Sequence, residues 1–456
     1  MAARTRPMTD GAPLRLIVTF ALPLMAGNMF QQLYIMVDSM VVGKGLGVDA
    51  LAAVGATDWV NWMMIGLLQG LAQGFTIPVA QAFGARDHEE LRSVVGSSAI
   101  LAVICSLVLL LIGQAAAGPL LLLMRTPADI LPSSLVYMRL IYLGIPVVLI
   151  YNLLAGILRA LGDGKTPLYA MIVASLINIA LDLVFVLVFH WGIAGAAVAT
   201  LLAQICSSVY CFVQLRRIDV LHLQRKHFQP ERNRMLRLLA MGAPMAGQNV
   251  LIAVGGMIIQ MVVNGFGVLF IAGFTASNKL YGLLEIAATS FGYAMVTYVG
   301  QNLGARNFPR IRRGVRAAVL SALVIASVIA VLMIVFGRFL VGLFVSGTLE
   351  DVERTIAVAY EYLTVMSICL PVLYLLHVYR SSLQGLGNTI LPMVSGIAEL
   401  AVRTLCGITL PLLLGEQGVY VAEVLAWAGA VLILIPSYYT VLRKLACSGN
   451  PFQSDN

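Results

Sequence analysis

Residues 94–123 read VVGSSAILAVICSLVLLLIGQAAAGPLLLL and contain no charged side chain. A helix needs about 20 consecutive apolar residues to cross the hydrocarbon core of a bilayer. This stretch is long enough to do so, and eleven more stretches of at least 23 residues are mainly apolar. They are residues 14–43, 51–82, 132–155, 167–189, 192–215, 238–264, 270–300, 315–345, 357–379, 391–413 and 418–441. The sequence therefore predicts an all-α membrane protein with twelve transmembrane helices.

The composition of the chain leads to the same class. Of 456 residues, 60% are apolar and 11% are Asp, Glu, Lys or Arg, whereas an ordinary soluble domain has roughly 25% charged residues. Twelve spans use about 240 residues, so no sizeable water-soluble catalytic domain fits in the rest, and we expect no enzyme. The six cysteines form no CxxC pair, which excludes a disulfide framework or a metal knuckle of that pattern.

Basic residues predict the orientation of the chain. An even number of spans places both ends on one side, and Lys and Arg are enriched in cytoplasmic loops. The connection between spans six and seven alone carries Arg216, Arg217, Arg225, Lys226, Arg232, Arg234 and Arg237, whereas the opposite side has only Lys44, Arg125, Arg338 and Arg354. We therefore expect both termini in the cytoplasm. We interpret the basic connection as a topogenic loop near anionic membrane lipid, with no nucleic-acid partner.

An internal repeat organises the chain. Gln81-Ala-Phe-Gly-Ala-Arg86 returns as Gln301-Asn-Leu-Gly-Ala-Arg306, and Gly162-Asp-Gly-Lys-Thr166 matches Gly385-Leu-Gly-Asn-Thr389. The offset of 220 to 223 residues covers six spans. Because six is even, both copies start on the same side, and a pseudo-twofold axis along the membrane normal should relate them.

Two six-helix lobes follow from this repeat. We predict an N-lobe at 1–215 with helices 1–6, a basic cytoplasmic linker at 216–237, and a C-lobe at 238–456 with helices 7–12. Two lobes of this kind suit a transporter whose substrate path runs between them.

Four polar residues of the N-lobe are candidates for ion binding. An ionisable side chain inside a bilayer costs at least ~2.5 kcal/mol, so each one needs a partner or a function. Asp38 lies in span one, and Asn178 and Asp182 share a face of span five at i and i+4. With a rise of about 1.5 Å per residue, Thr200 of span six reaches a similar depth. The four side chains could meet in one pocket open to the outside.

Two carboxylates in such a pocket could take up a proton or a sodium ion. Desolvation and mutual repulsion both disfavour the doubly charged pair, and sodium prefers the hard oxygen ligands that carboxylate, amide and hydroxyl groups supply. The alternative is that Asp38 and Asp182 only hydrogen-bond to neighbouring helices, although a neutral Asn would do so at lower cost.

The C-lobe does not copy these residues. At the repeat offset, Asn178 corresponds to Ala401, Asp182 to Leu405 and Thr200 to Glu423. Glu399 and Arg403 have the i, i+4 spacing of an ion pair, which would stiffen span eleven.

Two further residues are candidates for substrate binding and conformational change. Glu285 lies mid-membrane without an obvious local partner, so it could contact a cationic substrate, as could Asp38; a purely structural role for Glu285 is equally open. Pro23 lies fifteen residues before Asp38 and removes one backbone hydrogen bond of span one. It is either a hinge that bends when Asp38 changes charge or a static kink.

The repeats and the four polar residues resemble those of the multidrug and toxic compound extrusion (MATE) transporters, in the branch related to DNA-damage-inducible protein F. The resemblance runs from Pro23 to span twelve. It implies that Asp38, Asn178, Asp182 and Thr200 line a first-lobe site for a proton or a sodium ion. It also implies that Gln31 and Tyr137 belong to the same polar network.

The resemblance implies an antiporter of the bacterial cytoplasmic (inner) membrane. It would export organic cations or other drug-like compounds against inward protons or sodium ions by alternating access of its two lobes, as a monomer without a cofactor. Residues 238–264 contain no acid, unlike span seven of the sodium-driven branch, so the resemblance does not carry a second-lobe ion site onto this chain. The alternatives are a flippase for a lipid-linked sugar, of the same superfamily, and a channel or scaffold.

Overall fold

A computed structural model describes residues 5–342 and 349–448 of the chain. Within those ranges the chain forms fifteen α-helices and no strand, which confirms the predicted all-α class. The helices are α1 Pro13–Leu46, α2 Val48–Gly55, α3 Asp58–Gly84, α4 His88–Leu123, α5 Leu131–Leu143, α6 Ile145–Ala160, α7 Lys165–Asp182, α8 Gly192–Leu215, α9 Arg232–Val263, α10 Val268–Gly304, α11 Phe308–Gly342, α12 Leu349–Ile368, α13 Leu370–Gly385, α14 Ile390–Leu414 and α15 Glu416–Ser448.

Each of the twelve predicted spans corresponds to helical segments, and residues 343–345 of the ninth lie outside the described residues. In the described residues, nine helical stretches are long and apolar enough to cross a membrane. The predicted fourth and tenth spans are helix pairs, α5 with α6 and α12 with α13, bent by 45° and 50°. The remaining helix, α10, is 37 residues long and contains the predicted eighth span.

Proline explains both bends, which the sequence analysis did not predict. Pro146 is the second residue of α6, and Pro371 is the second residue of α13. A proline has no amide hydrogen to donate, and its ring clashes with the carbonyl four residues earlier. The chain therefore breaks at the same point of both repeats.

The helices form two compact units. Unit 1 comprises Leu22–Gly247 with residues 5–7, and unit 2 comprises Met8–Ala21 with residues 248–448 of the described chain. These boundaries lie inside α1 and α9, whereas the predicted lobes were divided at the linker, before span seven. The first half of α9 thus belongs to unit 1.

Close helix packing explains why α9 begins in unit 1. A Cβ atom added at Gly74 of α3 would lie 2.4 Å from Cα of Gly242, and one added at Gly70 would lie 2.6 Å from the backbone of Ala246. Glycines spaced four apart let two membrane helices approach until their backbones touch. The stretch of α9 around Pro244 is therefore held against α3.

The backbone repeats where the sequence repeats. Arg86 and Arg306, which end the matched motifs, both adopt a left-handed conformation, with φ of 59° and 53°. The next residue caps the following helix in both copies: Asp87 Oδ1 accepts from Glu90 N at 3.0 Å, and Asn307 Oδ1 accepts from Arg310 N at 3.2 Å.

The connection between α8 and α9 is an ordered part of unit 1. It forms two short 3₁₀ turns, Asp219–Leu221 and Arg225–Phe228. Lys226 Nζ and His227 Nε2 both lie 3.0 Å from the Glu89 carboxylate at the start of α4. Arg234 pairs with Glu90 at 3.1 Å. Of the seven basic residues that we interpreted as a topogenic loop, Lys226 and Arg234 are therefore paired with carboxylates of α4.

Candidate functional site

Helices α1, α7 and α8 of unit 1 bring the four candidate ion-binding residues together. Asn178 and Asp182 lie on one face of the last turns of α7, and Asn178 Nδ2 donates to Thr200 Oγ1 of α8 at 3.4 Å. The Thr200 hydroxyl in turn donates to the carbonyl oxygen of Ala196 at 3.1 Å. The Thr200 oxygen thus accepts a hydrogen bond from α7, in agreement with the similar depth that helical rise predicted for these residues.

Asp38 of α1 completes this group. Its carboxyl group lies close enough to that of Asp182 for the two to share a hydrogen bond when one of them is protonated. Asp182 has no solvent-exposed surface and Asn178 is 1% exposed, whereas Asp38 is partly exposed. The site therefore has a buried floor on α7 and a more open side on α1.

The oxygens of this site lack hydrogen-bond donors. Among the described residues, no donor reaches Asp38 Oδ1, Asn178 Oδ1, or either carboxylate oxygen of Asp182. A buried acceptor without a donor costs about 1–3 kcal/mol, and more when it is charged. Four such oxygens at one place fit a small hard cation, which they could ligate together, or a proton, which would bridge the two carboxyl groups. The donor set thus suits both ions that the sequence suggested.

A tyrosine that the sequence analysis missed belongs to the same group. Gln31 hydrogen-bonds the Tyr34 hydroxyl, and the charges of Asp38 and Asp182 act on it. The same two carboxylates act on Tyr137 of α5, which is 8% exposed. Tyr34 precedes Asp38 by four residues and follows Gln31 by three, so helical spacing alone could have identified it.

The backbone changes its helical form directly after Asp182. Residues Leu183–Val188 form a π-helix that continues α7. Such segments are rare and occur frequently at functional sites, because the wider turn alters the direction in which nearby side chains point. Asp182 is the last α-helical residue before this widening.

Unit 2 holds a different, ionic arrangement. Glu399 pairs with Arg403 at 2.9 Å, as its spacing indicated, and with Arg380 of α13 at 2.7 Å. Arg403 also pairs with Glu423 of α15 at 3.1 Å. All four side chains are at most 14% exposed. The charges of two acids and two bases cancel, so this network links α13, α14 and α15 without a net charge.

Glu285 of α10 lies beside this network but outside it. Its side chain is 40% exposed, and Oε1 lies 3.9 Å from Nε2 of His377. It therefore has a neighbour that the sequence analysis did not identify, since α13 follows 92 residues later in the chain. Tyr281 lies one turn before Glu285 and stacks on Trp427 with ring centres 5.9 Å apart. Substrate binding by Glu285 stays a prediction.

Pro23 lies inside α1, two residues beyond the point where the helix passes from unit 2 to unit 1. The helix runs through it without a break in the hydrogen-bonded pattern of its neighbours. Its role as a hinge stays a prediction.

The MatE family model matches residues 23–184 and 244–409, which is more than half of the chain and includes one segment from each repeat. The chain belongs to the MATE family. A second model, Lipid II flippase MurJ, matches the shorter segment 133–267.

Relatives and solved structures agree with MATE membership along most of the length. The probable multidrug resistance protein YoeA of Bacillus subtilis is 27% identical over 93% of both chains. The probable multidrug resistance protein YpnP of the same organism is 31% identical over 74% of this chain and 76% of its own. A crystal structure of MATE in the bent conformation has a TM-score of 0.88, covers 97% of this chain and 98% of its own, and is 24% identical.

Proposed function

We propose that the protein is a secondary antiporter that exports organic cations or other drug-like compounds in exchange for protons or sodium ions. The observation that carries this proposal is the buried group of donor-free oxygens on Asp38, Asn178 and Asp182. The multidrug resistance names of YoeA and YpnP support the substrate class.

The coupling step follows from the chemistry of the paired carboxyl groups. With both carboxyl groups ionised, Asp38 and Asp182 repel one another in a medium that screens poorly. Uptake of one proton leaves a hydrogen-bonded pair and removes that repulsion. The bound cation then loses its attraction to the site and leaves outward, after which the proton is released inward.

Alternating access supplies the direction of transport. The protonated site favours a change of shape in α1, where Pro23 removes a backbone hydrogen bond. A membrane potential contributes about 2.3 kcal/mol per elementary charge per 100 mV, so ion entry can drive accumulation without ATP. In this proposal the protein is a monomer in the bacterial cytoplasmic membrane, has both termini in the cytoplasm, uses no cofactor and catalyses no reaction.

Reconstituted vesicles test the proposal. Wild-type protein should move a cationic dye against its gradient when a pH gradient is imposed, and Asp38→Asn should abolish this movement while eluting as a folded protein. Asp129→Asn is the matched control, because Asp129 is an exposed loop residue far from the site in sequence. Full dye transport by Asp38→Asn would refute the proposal. Dye transport driven by a sodium gradient alone would show that sodium, and not the proton, is the coupling ion.

A lipid flippase is the second candidate, and the MurJ match favours it. A diphosphate-bearing lipid requires uncompensated cations in the membrane. Arg380 and Arg403 are instead paired with Glu399 and Glu423, and Lys279 of α10 is a single cation. Movement of a lipid-linked sugar diphosphate between the leaflets of the same vesicles, with no response of the dye to either gradient, would favour the flippase.

A further inference from the structure

The first turns of α11 carry an unusual concentration of positive charge. Arg310, Arg312, Arg313 and Arg316 lie within its first nine residues, and residues 301–316 contain no acid. The amino-terminal end of a helix is already partly positive, so cations there are unfavourable. In the matched helix of unit 1, α4, the first turn instead carries Glu89 and Glu90. The end of α11 therefore lacks the negative charge that its counterpart has.

Three of these arginines are free to bind a partner. Arg310 is used within unit 2, since its Nη2 donates to the carbonyl oxygen of Met8 at 3.2 Å. Arg312, Arg313 and Arg316 are exposed, and no described residue forms a hydrogen bond or ion pair with them. Arg312 and Arg316 share a helix face at i and i+4, where like charges repel. An anion between them would remove that repulsion.

A buried hydroxyl without a partner lies within electrostatic range of the two arginines. Tyr438 of α15 is 1% exposed, and among the described residues nothing hydrogen-bonds its hydroxyl. The charges of Arg312 and Arg316 both act on this hydroxyl. Tyr438 also packs edge-on against Tyr379 and Tyr439, with ring centres 5.5 and 5.1 Å apart. An acceptor placed by the arginines would satisfy the hydroxyl.

We propose that Arg312, Arg316 and Tyr438 form a binding site for the phosphate group of an anionic membrane lipid. Arginine forks match phosphate oxygens, and the Tyr438 hydroxyl donates a further hydrogen bond. The Arg312 and Arg316 side chains are exposed, so each can reorient toward an incoming phosphate. The site is independent of the transported compound and of the coupling ion.

A lipid is the occupant that the surroundings favour. The aromatic rings of Tyr379, Tyr438 and Tyr439 have the amphipathic character typical of residues at a membrane interface. Arg443 and Lys444 lie five and six residues after Tyr438, about 8–9 Å further along α15, and are exposed. These groups combine aromatic rings with several positive charges, which fits a lipid with an anionic headgroup better than a free phosphate ion.

Native mass spectrometry and thermal unfolding of the full chain in detergent test the site. Phosphatidylglycerol should be retained as a bound lipid and should raise the melting temperature, whereas phosphatidylcholine and inorganic phosphate should not. The double variant Arg312→Gln/Arg316→Gln should weaken phosphatidylglycerol binding about 25-fold, since each arginine near an anionic lipid contributes roughly a factor of five. Tyr438→Phe, which removes only the hydroxyl, should weaken it by a smaller factor.

Arg216→Gln/Arg217→Gln in unit 1 is the matched control, because it removes two exposed positive charges near the end of α8. It should leave phosphatidylglycerol binding within about twofold of wild type, since a site depends on geometry and not on net charge alone. Equal losses in both double variants, or none in either, would overturn the proposal. A rise in melting temperature with inorganic phosphate would overturn the assignment to a lipid.

Discussion

Asp182 combines complete burial with two carboxylate oxygens that have no donor among the described residues. Asn has nearly the same shape and carries no charge, so Asp182→Asn removes the cost of burying an ion. We expect the melting temperature of this variant to equal that of the wild type or to exceed it by a few degrees. Its proton-driven dye transport should fall to background. A fall in melting temperature with transport retained would show that the carboxylate has a structural role.

Thr200 separates the two possible coupling ions. Its hydroxyl accepts only a long hydrogen bond from Asn178 and carries no titratable proton. If protons are coupled, Thr200→Val should leave the initial rate of pH-driven dye transport within about twofold of wild type. Thr200→Ser, which keeps the hydroxyl, is the control. A large loss in the valine variant alone, relieved by raising the sodium concentration, would instead identify the hydroxyl as a sodium ligand.

At the scale of single residues, the sequence predicted contacts within one helix better than contacts between helices. Asn178 with Asp182 and Glu399 with Arg403 follow from the i, i+4 spacing, which depends only on helix geometry. Arg380 and His377 were missed as partners of Glu399 and Glu285 because both lie on another helix, α13, and the spacing rule applies only within one helix. The proximity of Asp38 and Thr200 to α7 was predicted from their similar depths in the membrane, which follow from the constant rise per residue of a helix.

The crossing of α3 and α9 depends on the absence of side chains at two glycines. A Cβ atom at Gly74 would lie 2.4 Å from Cα of Gly242, so Gly74→Ala must push the helices apart. We expect a loss of about 1–3 kcal/mol in the free energy of unfolding, the usual cost of overpacking, seen as a lower melting temperature. Gly118→Ala is the control, because nothing lies within 4 Å of its Cβ position.

The control makes the glycine test specific. Alanine is a better helix former than glycine by about 0.5–1 kcal/mol, so Gly118→Ala in α4 should unfold at the same temperature as wild type or higher. If Gly74→Ala were equally stable, the close approach of α3 and α9 would be wrong.

At the scale of elements, apolar runs predicted every span, but they could not predict how a span bends or how a connection folds. The bends at Pro146 and Pro371 lie inside continuous apolar stretches, so hydropathy carries no sign of them. The connection after α8 is ordered by Glu89 and Glu90, which lie more than a hundred residues earlier. From the sequence this connection was predicted to be a basic loop, because its acidic partners lie in α4 and do not appear in its own composition.

At the scale of the molecule, the two repeats share a backbone pattern and differ in their charges. Unit 1 concentrates unsatisfied oxygens at Asp38 and Asp182, whereas the buried charges of unit 2 compensate one another around Glu399. Lys226 and Arg234 pair with carboxylates of α4, whereas the first turn of α11 has no acid. The two copies thus share one framework and differ in where their charges lie.

The orientation of the whole chain can be tested with its native cysteines. Cys447 near the end of α15 is exposed and free, and the distribution of basic residues predicts that this end faces the cytoplasm. A membrane-impermeant maleimide should therefore label Cys447 in inverted vesicles and not in intact cells. Cys447→Ser should remove the signal, and adding Asp129→Cys to that variant should restore it only in intact cells, because the same distribution of basic residues predicts that the loop between α4 and α5 faces outward. Labelling of Cys447 in intact cells would reverse the orientation, and with it the direction in which the proposed antiporter moves its substrate.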